Sequence, residues 1–248
     1  MVKTQTRREW MKTAIKAAGS IALFTPLPSP AVSDKDELER IIVMDHARWE
    51  NVVEYRYIGK LTQREAQSID IKERGYENKL SAERIEEILS EYDNIRKFHY
   101  FSNGEGRLIT RRLIEPTSDE LRDYEGFVNS FSGHHGINLI RKVYSEFTDK
   151  TDGFNYDFKG YESLSDPVYL HPAVLLSGKK EGVCFDKAFA LSDIYLKLGL
   201  NAKIVTAYEN GSSPLDNHAW SRLYLDGAKF DLDPTWYKEF TVLRRVGA

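Results

Sequence analysis

The chain has 248 residues, 41% apolar and 12% aromatic, with 35 Lys and Arg against 38 Asp and Glu and a formal net charge of -3. That size and aromatic content suit one generous domain with a real core and exclude intrinsic disorder as the main state. The near-neutral balance argues against a nucleic-acid binder, and the single Cys excludes a disulfide framework or a multi-cysteine zinc site.

Charge is unevenly placed. Residues 1–33 hold Lys3, Arg7, Arg8, Lys12 and Lys16 against Glu9 alone, a surplus of four positive charges that leaves -7 on the rest of a chain whose total is -3. Thr6-Arg7-Arg8-Glu9-Trp10-Met11-Lys12 is followed by an apolar stretch over 14–24, three prolines, and Ala31-Val32-Ser33. This run resembles a twin-arginine export signal, and implies removal of residues 1–33 and an exported protein, periplasmic, surface-bound or secreted. The apolar stretch is too short to span a bilayer, so no stable membrane anchor is expected after cleavage.

From Asp34 the spacing of Leu38, Ile41, Ile42, Trp49, Val52 and Val53 predicts a helix. Ser81 suits an N-cap for a second helix with a stripe of Ile85, Ile88, Leu89, Tyr92 and Ile95. Residues 98–114 read as two strands about Asn103-Gly104-Glu105-Gly106, and another helix starts near Ser118 and stops by Gly133. Segment 34–132 is thus expected to be a mainly helical extension, and 133–248 a separate domain, which the motifs below mark as the catalytic one. The latter opens with a helix marked by Ile137, Ile140, Val143, Tyr144 and Phe147.

Cys184, Ala188, Leu191, Tyr195 and Leu198 then step by helical spacing, with Gly199 where a C-cap glycine belongs. Cys184 therefore falls in a first turn, where unpaired N–H groups and the macrodipole favour a thiolate, although a small buried hydrophobe is the commoner fate of a lone Cys. Residues 202–208 alternate as a strand, a polar loop covers 209–217, and a second strand begins at His218. Asp226-Gly227 signals a two-residue hairpin. If Leu225 faces Ala228, Trp220 faces Asp233, and His218 and Asp233 become diagonal neighbours on one face, about 7–8 Å apart at Cα. A carboxylate there can accept the imidazole N–H and fix its tautomer.

Gly182-Val183-Cys184-Phe185-Asp186-Lys187-Ala188, Leu198-Gly199-Leu200-Asn201-Ala202, His218-Ala219-Trp220 and Asp233-Pro234-Thr235-Trp236 together resemble the transglutaminase-like superfamily over about 137–237. The resemblance implies an α+β papain/transglutaminase-like core, a Cys-bearing helix packed on an antiparallel sheet, here with an N-terminal helical layer. It also implies a nucleophile at Cys184, a general base and acid at His218, and an orienting carboxylate at Asp233. Phe185 and Lys187 depart from the usual small residue and aromatic, without touching the triad.

The implied activity is that of a cysteine acyltransferase, amidase or protease on a peptide or protein substrate, working through a thioester. No cofactor and no metal are expected. The Cys184 N–H is a natural oxyanion donor; Tyr156 and Tyr169 are candidates for the second. Arylamine acetyltransferases share the Cys, His, Asp order, but Asp233-Pro234-Thr235-Trp236 fits them poorly. The six histidines show no ligand spacing, and no EF-hand loop is present. A catalytically silent binding or structural module of the cell envelope is the alternative function. The oligomeric state and the acceptor, amine or water, stay open.

Overall fold

The computed structural model describes residues 33–156, 168–178, 181–209 and 217–246. The expected export signal therefore lies outside the described residues, apart from Ser33, and so does most of the polar loop before His218.

Short helix α1 (Asp34–Arg40) is capped by Ser33, whose side chain accepts the Asp36 N–H at 3.1 Å. The expected helix through Trp49 and Val53 is instead part of one long strand, β1 (Ile42–Thr62). The residues are right for it, since Val52, Val53, Tyr55, Tyr57 and Ile58 are β-branched or aromatic. The misleading spacing comes from irregularities. Register shifts between Glu50 and Val53, where Asn51 sits at φ +50°, and again between Tyr57 and Gly59. A bulge inserts one residue and turns a period of two into apparent helical steps.

Helices α2 (Gln63–Glu73) and α3 (Ala82–Ser90) follow, the first with a Thr62–Glu65 capping box, the second with Ser81 accepting the Arg84 N–H at 3.2 Å. The stripe expected to run on to Tyr92 and Ile95 stops at Ser90, and Ile95 is exposed. Strands β2 (Lys97–Asn103) and β3 (Leu108–Ile114) form the expected hairpin, its turn held by the Asn103 side chain, which accepts the Glu105 and Arg107 N–H groups. Helix α4 (Ser118–Asn129) carries a Thr117–Glu120 capping box, and α5 (Gly136–Lys150) is deeply buried along one face.

Short strands β4 (Asn155–Tyr156), β5 (Val168–Leu170) and β6 (Glu181–Gly182), with helix α6 (Pro172–Leu176), lead to α7 (Cys184–Lys197). Gly199, at φ +84°, ends α7 by donating to the Leu196 carbonyl while Leu200 donates to Tyr195, the paired bonds of a Schellman motif. Strands β7 (Asn201–Glu209), β8 (Asn217–Leu225), β9 (Ala228–Leu232) and β10 (Val242–Val246) complete the chain.

The main sheet runs β10-β9-β8-β7-β1-β2-β3-β5, and a further parallel β1–β10 pairing joins the two ends of its first five strands. Antiparallel pairing dominates, with β3–β5 also parallel. Segment 34–132 is thus more than a helical layer, because it supplies three strands of the same sheet, and the unit from Ser33 onward is continuous. Glu54 on β1 ties this together. It accepts from Lys203 of β7 at 2.9 Å, from Arg222 of β8 at 3.0 Å and from the Tyr224 hydroxyl, while Arg222 grips Asp231 of β9 through two bonds of 2.6 and 2.9 Å.

The largest apolar cluster lies between α4–α7 and the β8–β10 side of the sheet. A second surrounds the start of α7, where Cys184, Phe185 and Phe189 meet Phe101 and Leu113.

Candidate active site

Cys184 is the first residue of α7 and only 3% exposed. What fixes this turn is Asp186. Its carboxylate accepts the Val183 N–H and the Leu170 N–H, each at 2.7 Å, so one buried acid ties the helix start to β5. The sequence motif alone assigns Asp186 no role, although an acid three residues after a cap position is the signal for one. Gly182 completes the fit, since a Cβ there would lie 2.6 Å from the Asp186 Oδ2 and 2.7 Å from the Phe154 ring.

The β8–β9 hairpin has the register read from Asp226-Gly227. Leu225 faces Ala228, and the pairing proceeds without slip to Ser221 opposite Leu232. His218 and Asp233 consequently meet, with Nε2 to Oδ2 at 2.6 Å. Asp233 is fully buried, and its other oxygen accepts the Thr235 N–H at 3.0 Å and the Trp236 N–H at 3.3 Å. The Asp233 carbonyl in turn accepts the Tyr144 hydroxyl at 2.9 Å. Asp233 is therefore held at both its carboxylate and its backbone carbonyl, apart from its bond to the ring.

The imidazole also hydrogen-bonds the Cys184 side chain. With Nε2 committed to Asp233, Nδ1 is the ring nitrogen left for sulfur. Burial of the ring on its own would lower its pKa. The Asp233 charge and hydrogen bond, joined by Cys184, outweigh that and raise it to about 9. All three residues singled out from the sequence come together in one chain of contacts.

Three tryptophans surround His218. Trp236 lies flat on it, centroids 4.1 Å apart and planes 4° from parallel, with Trp49 at 5.6 Å and Trp220 at 6.1 Å. Trp220 is fully buried, whereas Trp236 is 52% exposed. Trp49 reaches the histidine because it lies on strand β1 and not on the expected helix. Tyr169, a candidate oxyanion donor, is half-buried and rests on Phe185 with ring centroids 4.4 Å apart. Burial, its largest influence, raises its hydroxyl above the usual range. The side chain of Tyr156 lies outside the described residues. Among the described residues no group of His, Cys, Asp and Glu is disposed to hold a metal ion.

Two solved structures of the periplasmic domain of TgpA from Pseudomonas aeruginosa are similar to this chain. The one bound to ethylmercury shares 18% identity with a TM-score of 0.37, covering 57% of this chain and 56% of that one. The other shares 16% identity with a TM-score of 0.34, covering 57% and 55%. The match thus spans little more than half of either structure. No curated protein matches. Residues 133–236 do match the family model of the Transglutaminase-like superfamily.

Proposed function

We propose that the protein is an exported cysteine enzyme that acts on amide or peptide bonds through a thioester. The single observation carrying this reading is the continuous Cys184–His218–Asp233 contact, at the mouth of a helix and on two buried residues of one hairpin. The chemistry follows from it. A pKa of about 9 leaves His218 protonated near neutrality and paired with Asp233, so a Cys184 thiolate has an imidazolium beside it. The thiolate attacks the carbonyl carbon, and the Cys184 N–H at the helix start is aimed to receive the oxyanion. His218 gives its proton to the departing ammonia or amine. It then takes one from the incoming water or amine, which displaces Cys184 from the thioester.

Export rests on the Arg7-Arg8 motif and the basic N-terminus. Among the described residues no helix is long and apolar enough to cross a membrane. One observation favours the silent-module reading, the 3% exposure of Cys184. Incubation with glutaminyl or peptide substrates, followed by intact-mass measurement, separates the two. An acyl adduct on Cys184 that is absent in Cys184→Ala supports the enzyme. A wild-type thiol that takes up no acyl group and resists alkylation near pH 6 overturns it.

A further inference from the structure

The site has a cationic group that the acyl-transfer chemistry leaves unused. On β3, Ile109, Arg111 and Leu113 alternate onto one face, and Ile109 and Leu113 belong to the apolar cluster that contains Cys184 and Phe185. Arg111 stands between them. Its guanidinium carbon lies 5.9 Å from the Tyr55 ring, and its one hydrogen bond is a 3.4 Å contact to the Thr110 carbonyl. Nε is buried without a hydrogen-bond partner, and no carboxylate among the described residues pairs with this side chain. Arg222, a buried arginine of the same sheet, is by contrast clasped by Asp231 and Glu54.

Tyr169 links this group to the nucleophile. Its ring packs on Phe185, the residue after Cys184, and after burial the groups acting on its hydroxyl are Arg111, Asp186, Cys184 and Tyr55. Tyr55 and Tyr169 are both half-buried against the Cys184 cluster. Two aromatic side chains and a guanidinium without a carboxylate partner among the described residues thus lie against the apolar cluster that holds the thiol. A guanidinium whose Nε–H lacks a partner matches a carboxylate, and its pairing in a half-buried setting gains over one in open water.

We infer that Arg111, with Tyr55 and Tyr169, forms a subsite for a carboxylate carried by the acyl donor close to its reacting amide. Arg111 is then a specificity residue of the reaction proposed above, on which this inference rests. The carboxylate has two chemical sources, an acidic side chain or a free chain end.

Cysteine-directed reagents test this without knowledge of the natural substrate. Iodoacetyl-glutamate and iodoacetyl-glutamine, both as terminal amides, differ in one charge; iodoacetyl-glycine as free acid and amide supplies the chain-end pair. The wild-type protein is expected to be alkylated at Cys184 at least about tenfold faster by one of the acids than by its neutral partner. The favoured pair identifies the source. Arg111→Met, which keeps the apolar stem, should erase the preference, so that acid and neutral reagents react at equal rates, and Arg111→Lys should retain part of it. Equal rates for acid and neutral reagents in the wild type, or a preference that survives Arg111→Met, overturns the subsite while leaving the acyl-transfer reading intact. A wild-type Cys184 that reacts with none of the four overturns that reading and the subsite with it. If Arg111→Met loses both rates through misfolding, Arg111→Lys decides: a preference as large as in wild type, or none at all, counts against a guanidinium-specific site.

Discussion

Trp236 lies flat against His218, 4.1 Å between ring centres, and the carboxylate that orients the histidine also holds the tryptophan in place. Asp233 Oδ2 takes the ring, while Oδ1 accepts the Thr235 and Trp236 N–H groups. A half-exposed indole in this position covers one face of the imidazole and keeps water from the bond between His218 and Asp233. In such a shielded setting that bond is electrostatically stronger. Trp236→Ala should cost only about 1 kcal/mol of stability, the scale of one aromatic stack. Cys184 alkylation should nevertheless slow about tenfold, the equivalent of roughly 1.4 kcal/mol. Trp236→Phe should restore most of it; comparing alkylation rates with thermal midpoints checks the separation.

Asp233→Asn keeps the hydrogen-bonding shape and removes the charge that holds His218 above its ordinary pKa. It also favours the wrong tautomer, a change that costs about 10⁴ in turnover in a serine triad. Cysteine is the better nucleophile, so a loss of roughly 10² to 10³ is expected. Steady-state turnover of the variant measures it, and full activity would reduce the site to a Cys–His pair.

The raised pKa of His218 has a definite sign. Its proton stabilises the folded state fully below the ordinary value near 6.5, and that contribution is lost as pH rises through about 9. Thermal midpoints should therefore fall between those pH values in the wild type, and less so in His218→Gln. Alkylation assisted by the imidazolium should show the matching alkaline limb.

Glu54 works in the opposite direction. Burial alone would raise its pKa, but hydrogen bonds from Tyr224, Lys203 and Arg222 hold it at about 2. Its contribution is present above the ordinary value near 4.5 and lost as pH falls toward 2. Glu54→Gln should cost about 1–3 kcal/mol near neutrality and flatten the acid limb of unfolding, because the charged hydrogen bonds to Lys203 and Arg222 are weakened. Urea denaturation from pH 7 down to pH 2 reads both effects.

A fragment beginning at residue 133 keeps Cys184, His218 and Asp233 yet loses β1, which lies hydrogen-bonded beside β7 and β10. It should fail to fold, and circular dichroism with near-ultraviolet detection checks this. A folded and reactive fragment would mean that β1 is dispensable.

The second half was legible because its signals are local. Helical spacing from Cys184 to Leu198, a glycine at 199 and Asp226-Gly227 each fix geometry within a few residues, and the hairpin register then carries His218 to Asp233. The first half was less so. In β1 two irregularities near Asn51 and Gly59 disturb the alternation, and a strand with partners some 150 residues away leaves no local mark of them. Asp186 was quoted as part of a motif, but its bond to Leu170 depends on β5 passing alongside, which spacing does not reveal. Trp220 and Trp236 look alike in the sequence, yet Trp220 is core and Trp236 is half open.

The parallel seam between Ile42 of β1 and Val242 of β10 has a kinetic consequence. The earliest strand of the sheet cannot be sealed until the last has been synthesised, so folding by vectorial addition from the N-terminus is closed to this topology. Contacts of such sequence separation place the loop-closure cost before the reward and slow the search. Until that late seam forms, β1 has an unpaired stretch of backbone along Ile42–Arg48, the sort of edge on which other chains pair. Refolding yield should therefore decline with protein concentration more steeply than the stability of the finished molecule would suggest.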